Sequence, residues 1–156
     1  MVKRKKAAVS ACLLGEFCRY DGTTKASAGV IEALKDWEIV PFCPEAPVLG
    51  TPRGRISVVE MPEGLRLLRD EDGEDVTDAI LKETEKLIAA HPDLAMIVLK
   101  SKSPSCGTRT TPILDETREP LRLGDGMASQ RLRDAFPDID IFDEYIFETE
   151  TRAIKE

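Results

Sequence analysis

Histidine is almost absent from this chain: its single copy, His91, stands before the apolar segment LAMIVLK (94–100). A nucleophilic Cys–His pair requires the imidazole within hydrogen-bond reach of the thiol. We expect His91 at the opposite edge of the predicted sheet from the cysteines, where it would end a helix. A Cys–His nucleophilic enzyme is therefore disfavoured.

The sequence also lacks the marks of several other protein classes. No apolar run reaches ten residues, so no segment is long enough to cross a bilayer. No C-x-x-C pair occurs, which argues against a zinc ribbon or a thioredoxin-type dithiol. The stretch LGDGMASQ (123–130) is not a G-x-G-x-x-G motif after a strand, so it predicts no dinucleotide site. A helix entry capped by Asp125 is expected there, although its glycines could also serve an anion.

Positive charge is in deficit, with 22 Lys and Arg against 29 Asp and Glu and a formal net charge of −7. Binding to duplex nucleic acid is not expected, because that surface must neutralise phosphates. The basic start is followed by a short apolar stretch that ends at Gly15. A signal peptide would need a longer apolar region and a cleavage site of small residues. We therefore expect a cytoplasmic protein with reduced thiols. In that setting four cysteines favour a metal or catalysis over disulfides.

Alternating strand and helix patterns predict a single α/β domain over residues 1–156, with a mainly parallel sheet flanked by helices and a β-hairpin insertion. Ser27 is the expected N-cap of the first helix, and Pro41 indicates an edge strand. The predicted strands are 7–14, 38–43, the hairpin 55–61 and 65–70, 94–100 and 139–147; the predicted helices are 27–37, 76–92 and 124–136.

Three of the four cysteines follow strands of the predicted parallel sheet. Cys12 follows the first strand, Cys43 the second, and Cys106 the strand 94–100. Because ligand sites of such sheets lie beyond the carboxyl ends of the strands, we expect the three thiols to converge. Converging thiolates suit an iron–sulfur cluster, zinc or copper(I). The competing interpretation is that each cysteine is a small buried apolar residue.

The motifs around these cysteines resemble those of the thiouracil desulfidase family, which is iron–sulfur dependent. They are VSACLLGEFCRYDG (9–22), CPE (43–45), PRG (52–54) and LKSKSPSCG (99–107), and the resemblance runs from about Val9 to Leu132. It implies non-redox desulfuration of a thiolated pyrimidine with release of hydrogen sulfide. It also implies a [4Fe-4S] cluster held by three cysteines with one open iron. Aerobic purification is expected to lose or replace that cluster.

The resemblance also implies roles for individual residues. Cys12, Cys43 and Cys106 would be the cluster ligands, Glu45 would take a proton from water, and Ser103 would orient that water. Ser101 and Ser105 lie close enough in sequence to compete with Ser103 for this role, and both are also candidates for binding the substrate. For Cys18 three roles stay open: a buried structural thiol, a sulfur carrier or a fourth ligand.

Two further residues are candidates for the substrate pocket. Tyr20, in the loop RYDG (19–22), either lines the pocket or belongs to an ordinary Asp-Gly turn. Arg53 could bind an anionic substrate group, hold Glu45 by an ion pair or be a surface arginine. Two functions without turnover remain alternatives: a structural or regulatory metal-binding protein, and a binding module for modified nucleotides.

Overall fold

A computed structural model describes residues 4–16, 21, 25–51 and 53–147. Within these ranges no helix is long and apolar enough to cross a membrane. The strands are β1 Lys6–Ser10, β2 Glu38–Phe42, β3 Ile56–Met61, β4 Gly64–Arg69, β5 Leu94–Leu99, β6 Thr111–Leu114, β7 Pro120–Gly124 and β8 Ile141–Asp143. The helices are α1 Ala28–Ala33, α2 Ala46–Leu49, α3 Thr77–Ala90 and α4 Met127–Ala135, and a 3-10 turn spans Ala11–Leu14.

The first sheet has the strand order β2-β1-β5-β8, and every neighbouring pair in it is parallel. The predicted mainly parallel sheet is thereby confirmed. β2 is an edge strand, as Pro41 indicated, because a proline cannot donate to a second neighbour. The carboxyl ends of β1, β2 and β5 consequently lie side by side.

Both faces of the first sheet are buried. Two consecutive residues of β1, whose side chains point to opposite faces, show this. Ala8 packs into a core with Ile97 and Leu132, whereas Ala7 packs into the core on the other face with Val30. Strands buried on both faces give continuous apolar runs, which is why LAMIVLK showed no alternation. Cys106 belongs to the first of these cores and Cys12 to the second.

The second sheet has the order β4-β3-β6-β7. The predicted hairpin forms its β3–β4 half, so it belongs to a sheet of its own rather than to the first one. The β6–β7 hairpin was not predicted. Both strands are short and each contains a proline. Because proline is uncommon inside strands, the sequence did not indicate strands there. Pro112 is tolerated because β3 pairs only with the two residues after it, Ile113 and Leu114.

The last predicted strand, 139–147, is too long. β8 ends at Asp143, and residues 144–147 are helical. The Asp143 carboxylate accepts a hydrogen bond from the Ile146 amide at 2.8 Å, which favours a helical turn over further extension. This turn places Glu144 beside the end of β5, a position the sequence pattern did not indicate.

The helix ends agree with expectation at two points. The Ser27 hydroxyl accepts a hydrogen bond from the Val30 amide at 3.3 Å, which confirms Ser27 as the N-cap of α1. His91 is the C-cap of α3, as its interpretation as a helix end requires.

Candidate functional site

A cavity of about 900 Å³ opens beyond the carboxyl ends of β1, β2 and β5. Its floor includes the three cysteines that follow these strands, and its lining also includes Ser57 and Val58 of β3 in the second sheet. The structure therefore brings together Cys12, Cys43 and Cys106 from distant parts of the chain. No disulfide joins these three cysteines to one another.

Cys12 lies in the 3-10 turn that directly follows β1, and it is buried. Its carbonyl accepts hydrogen bonds from the amides of Gly15 at 3.3 Å and Lys25 at 3.2 Å. Gly15 ends the turn with φ of 97°, a left-handed conformation that glycine adopts without strain. The turn thus holds the first thiol against the end of its strand.

Cys43 follows the last residue of β2 and precedes α2. Its sulfur accepts a hydrogen bond from the Ala46 amide at 3.4 Å, at the first residue of that helix. This contact orients the Cys43 sulfur relative to the start of α2. Such contacts are also among the features that tune thiolate-bound iron–sulfur clusters.

Cys106 lies in a tight loop shaped by Ser103. The Ser103 hydroxyl accepts hydrogen bonds from the amides of Ser105 at 3.2 Å and Cys106 at 3.0 Å. The Ser103 carbonyl accepts from the Gly107 amide at 2.8 Å and from the Thr111 hydroxyl at 2.6 Å. These bonds keep the Cys106 thiol buried at the cavity floor.

The start of α4 supports the same loop from behind. The Ser105 carbonyl accepts from the amides of Ala128 at 2.9 Å and Ser129 at 3.1 Å. These amides are therefore occupied, and the possible anion site at this helix entry is not formed by them. The expected cap is also wrong, since α4 begins after Gly126. Asp125 instead accepts hydrogen bonds from the Arg109 amide at 2.9 Å and from the Arg133 guanidinium at 3.3 Å, and its side chain does not cap the helix.

Gly107→Ala is expected to destabilise the loop by about 1–3 kcal/mol, the usual range for overpacking. A Cβ at position 107 would overlap the Thr111 hydroxyl and lie 2.7 Å from the Ser103 carbonyl oxygen. Urea unfolding of the cluster-free protein measures the change. Gly54→Ala is the control, because its Cβ would meet only the end of the Glu71 side chain at 3.4 Å. Equal midpoints for the two variants would contradict the steric argument.

The acidic groups of the cavity floor influence one another electrostatically. Burial is the main cause that raises the pKa of the Cys106 thiol, followed by the charges of Cys43, Glu45 and Cys12. A hydrogen bond from Ser10 opposes this rise. Several negative charges in one buried pocket are costly unless a cationic group compensates them.

The donor set fits a cluster better than a single ion. Over the residues that the structure describes, no three His, Cys, Asp or Glu side chains are grouped as ligands of one metal ion. A cluster binds each thiolate through a different iron, so its ligands lie farther apart than those of one ion. Three soft thiols around one cavity fit that requirement; those of Cys12 and Cys106 are buried and that of Cys43 is half-buried.

Glu45 is fixed beside Cys43 by an ion pair. The Arg53 guanidinium approaches the Glu45 carboxylate at 3.4 Å through both Nε and Nη2, and the two side chains are only 6% and 12% exposed. Arg53 also donates to the Gly50 carbonyl at 2.9 Å, which anchors its other end. Of the three interpretations of Arg53, the ion pair with Glu45 is therefore the one observed.

The remaining predicted residues are placed differently. Ser101 and Ser103 line the cavity, whereas Ser105 is fully buried behind the loop and is not part of the lining. Tyr20 and Cys18 lie outside the described residues, so their roles stay predictions.

The sequence reasoning missed an ion pair that lines the cavity. Lys100 and Glu144 line the cavity and form an ion pair, with Nζ and Oε2 separated by 2.9 Å. Lys100 could have been noticed as the residue directly after β5, at a carboxyl strand end. Glu144 gave no signal because a strand was predicted where it begins a helical turn.

Taken together, fold and site define an α/β protein that presents three thiols and a paired carboxylate to a ligand-sized cavity. The chain belongs to the 2-thiouracil desulfurase family, an enzyme family whose model matches residues 7–144. The family resemblance of the cysteine motifs is thereby confirmed.

Two relatives illustrate the membership. The [4Fe-4S]-dependent thiouracil desulfidase TudS is similar in structure, with a TM-score of 0.73 and 30% sequence identity, over 97% of this chain and 99% of that one. YbbK of Bacillus subtilis (strain 168), described as uncharacterized, is 32% identical over 110 residues, which are 64% of this chain and 72% of YbbK. The first likeness spans both sheets, so it supports the α/β architecture as a whole.

Proposed function

We propose that this protein hydrolyses a thiolated pyrimidine such as thiouracil and releases hydrogen sulfide without net redox change. The observation that carries the proposal is the grouping of Cys12, Cys43, Cys106 and Glu45 on one cavity floor. The structural likeness to TudS covers almost the whole chain, and the description of that protein as a [4Fe-4S]-dependent thiouracil desulfidase supports a [4Fe-4S] cofactor and a thiouracil substrate here.

The three cysteines would hold the cluster as thiolates. When bound in this way, the cluster supplies an iron with an open coordination position, a soft Lewis acid that prefers sulfur to oxygen. The overall reaction is balanced by water alone: a C=S bond becomes C=O, and the sulfur leaves as hydrogen sulfide with the two protons of water. No electron donor is needed.

Glu45 is the proposed proton acceptor for the attacking water. Its carboxylate lies at the cavity floor next to Cys43 and therefore close to the thiol ligands. Arg53 restricts it to one position, which is what a general base requires. The same contact keeps the carboxylate from turning away into solvent.

Ser103 is the proposed partner of that water. Its oxygen is held by two backbone amides, and within the described residues its own proton has no acceptor. The hydroxyl is therefore able to donate to the water or to the oxygen that forms at the reacting carbon. Ser105 is left out of the mechanism because it is shielded from the cavity by the loop.

The size of the cavity favours turnover over a purely structural cluster. Structural metal sites are closed by protein ligands, whereas here about 900 Å³ of space adjoins the thiols. That space is in the range of small-molecule sites. A binding module would use the same space, and measurement of the reaction product distinguishes an enzyme from such a module.

The test is anaerobic reconstitution of the cluster followed by incubation with 4-thiouracil. We expect sulfide and uracil in equal amounts, and neither from protein that has not been reconstituted. Absence of sulfide from protein whose iron content indicates full cluster occupancy would exclude the proposed activity. Uracil binding without turnover would instead support the binding module.

A further inference from the structure

Ser10, the last residue of β1, carries a buried hydroxyl at the edge of the cavity floor. The residue is 3% exposed and belongs to the cavity lining. Its hydroxyl oxygen accepts a hydrogen bond at 2.9 Å from the amide of Lys100, the residue directly after β5. Because a backbone amide can only donate, this contact uses a lone pair of the hydroxyl and leaves its proton for another acceptor.

The sulfur of Cys106 is the partner of that proton. The Ser10 hydroxyl is hydrogen-bonded to the Cys106 side chain. A thiolate that binds iron carries no proton, so the sulfur can only accept and the hydroxyl must donate. The Lys100 amide and the Cys106 sulfur thus occupy opposite capacities of one hydroxyl, which fixes the direction of its O–H bond.

The surroundings of Cys106 make a hydrogen-bond donor important. This residue is 5% exposed and packs in an apolar core with Ala8 and Leu99. An anionic sulfur in such a place is costly unless hydrogen bonds or a cationic group compensate it. Cys43 accepts from a backbone amide, that of Ala46. The contact at Cys106 comes instead from a side chain, so a single substitution can remove it.

Glu144 holds the end of β5 that orients Ser10. Its carboxylate accepts from the Ser101 amide at 2.7 Å and pairs with the Lys100 ammonium at 2.9 Å. Glu144 reaches this place because β8 runs parallel to β5. Residues 100 and 101 are therefore fixed from β8 as well as from β1, and the Ser10 hydroxyl has an anchored partner.

We propose that Ser10 is a positioning residue of the cluster site, whose hydroxyl donates to the Cys106 thiolate and draws electron density away from the iron that this sulfur binds. The inference rests on the proposed function, because it takes Cys106 to be a cluster ligand, but it does not depend on turnover. Hydrogen bonds to the sulfurs are among the features that set the reduction potential of an iron–sulfur cluster. Lower electron density also makes an open iron a stronger Lewis acid toward a thiocarbonyl sulfur.

The direction of the effect on the reduction potential follows from charge. Reduction adds an electron to the cluster, so the ligating sulfurs become more negative and accept a stronger hydrogen bond. The Ser10 contact therefore stabilises the reduced cluster more than the oxidised one and raises the reduction potential. Ser10→Ala removes the donor, so the potential should shift to a more negative value.

A redox titration of the reconstituted protein, followed by electron paramagnetic resonance of the reduced cluster, measures this shift. Ser10→Thr retains a hydroxyl and should restore the potential of the unaltered protein. Ser57→Ala is the matched control, because its hydroxyl also lines the cavity but donates to the Asp70 carboxylate at 2.7 Å. An unchanged potential in Ser10→Ala, or an equal shift in Ser57→Ala, would overturn the proposal.

Iron content on the same samples separates tuning from assembly. Ser10→Ala keeps all three cysteines, so its iron and acid-labile sulfide per chain should equal those of the unaltered protein. Far-ultraviolet circular dichroism checks that the end of β1 folds without the contact to the Lys100 amide. Loss of iron from folded Ser10→Ala would contradict a tuning role, because the hydroxyl would then be required to build the site.

Kinetics distinguish the Ser10 contact from the proposed reaction. Ser10→Ala should lower kcat/KM for 4-thiouracil about tenfold, a usual effect of losing a residue that orients a metal ligand, and Ser10→Thr should recover it. If the potential shifts as expected but the unaltered protein releases no sulfide, the proposed reaction fails while the Ser10 contact stands. If sulfide is released and the potential does not respond to Ser10→Ala, the reaction stands and this inference fails.

Discussion

Glu45→Gln is expected to reduce sulfide release by about 10²–10⁴-fold, the usual contribution of a general base, while the cluster stays bound. Glutamine has the same shape and retains an oxygen that can accept from Arg53, but it cannot take a proton from water. The measurement is the initial rate of sulfide release by anaerobically reconstituted protein, with iron content determined on the same sample.

Glutamine at this position tests proton transfer more specifically than alanine does. Glu45→Ala would leave the Arg53 guanidinium, whose side chain is 6% exposed, without the carboxylate it pairs with. Loss of one partner from a buried pair costs about 3–5 kcal/mol, so lost activity could reflect partial unfolding. Glu60→Gln provides the control: it removes an exposed ion pair with Arg122 on the second sheet. Full activity in Glu45→Gln would remove this residue from the mechanism.

Cys106→Ala is expected to abolish stable cluster binding, and with it all sulfide release. The loop around this position is shaped by the Ser103 hydroxyl and by backbone bonds, none of which uses the Cys106 sulfur. The variant should therefore fold with an intact loop and lack only the ligand. Iron and acid-labile sulfide per chain after reconstitution measure the loss, and far-ultraviolet circular dichroism checks the fold.

The same substitution at Cys18 separates the proposed enzyme from a structural cluster protein. With three-cysteine ligation, Cys18→Ala should keep its iron and its activity, whereas Cys12→Ala and Cys43→Ala should lose both. Loss of the cluster in Cys18→Ala would indicate four protein ligands and no open iron. The proposed Lewis-acid chemistry would then have no coordination position to use.

The positions of Cys12 and Cys43 could be predicted because they follow directly from parallel strands. Each lies within two residues of a strand end, so the topology of the sheet alone brings them together. Cys106 was predicted by the same rule, although six residues separate it from β5. Its final position depends on the turn made by Ser103 and on the support from α4, neither of which is visible as periodicity.

The second sheet and the Lys100–Glu144 pair could not be predicted for a different reason. Both depend on contacts between distant segments: β3 pairs with β6 across more than fifty residues, and Glu144 lies 43 residues from the Ser101 amide. Local patterns record the environment of one segment at a time. The prolines in β6 and β7 also argued against strands in the sequence, although the observed pairing of β6 with β3 does not involve Pro112.

The division of the cavity between two sheets has a consequence for how such a protein can diversify. The thiols come from loops of the first sheet, whereas Ser57 and Val58 of the cavity lining belong to the second sheet, which has a separate apolar core around Val58 and Ile113. Mutations in that part of the lining can alter the shape offered to a ligand without moving a thiol. Selection for new substrates can therefore act on the second sheet while the three cysteines of the first sheet stay in place.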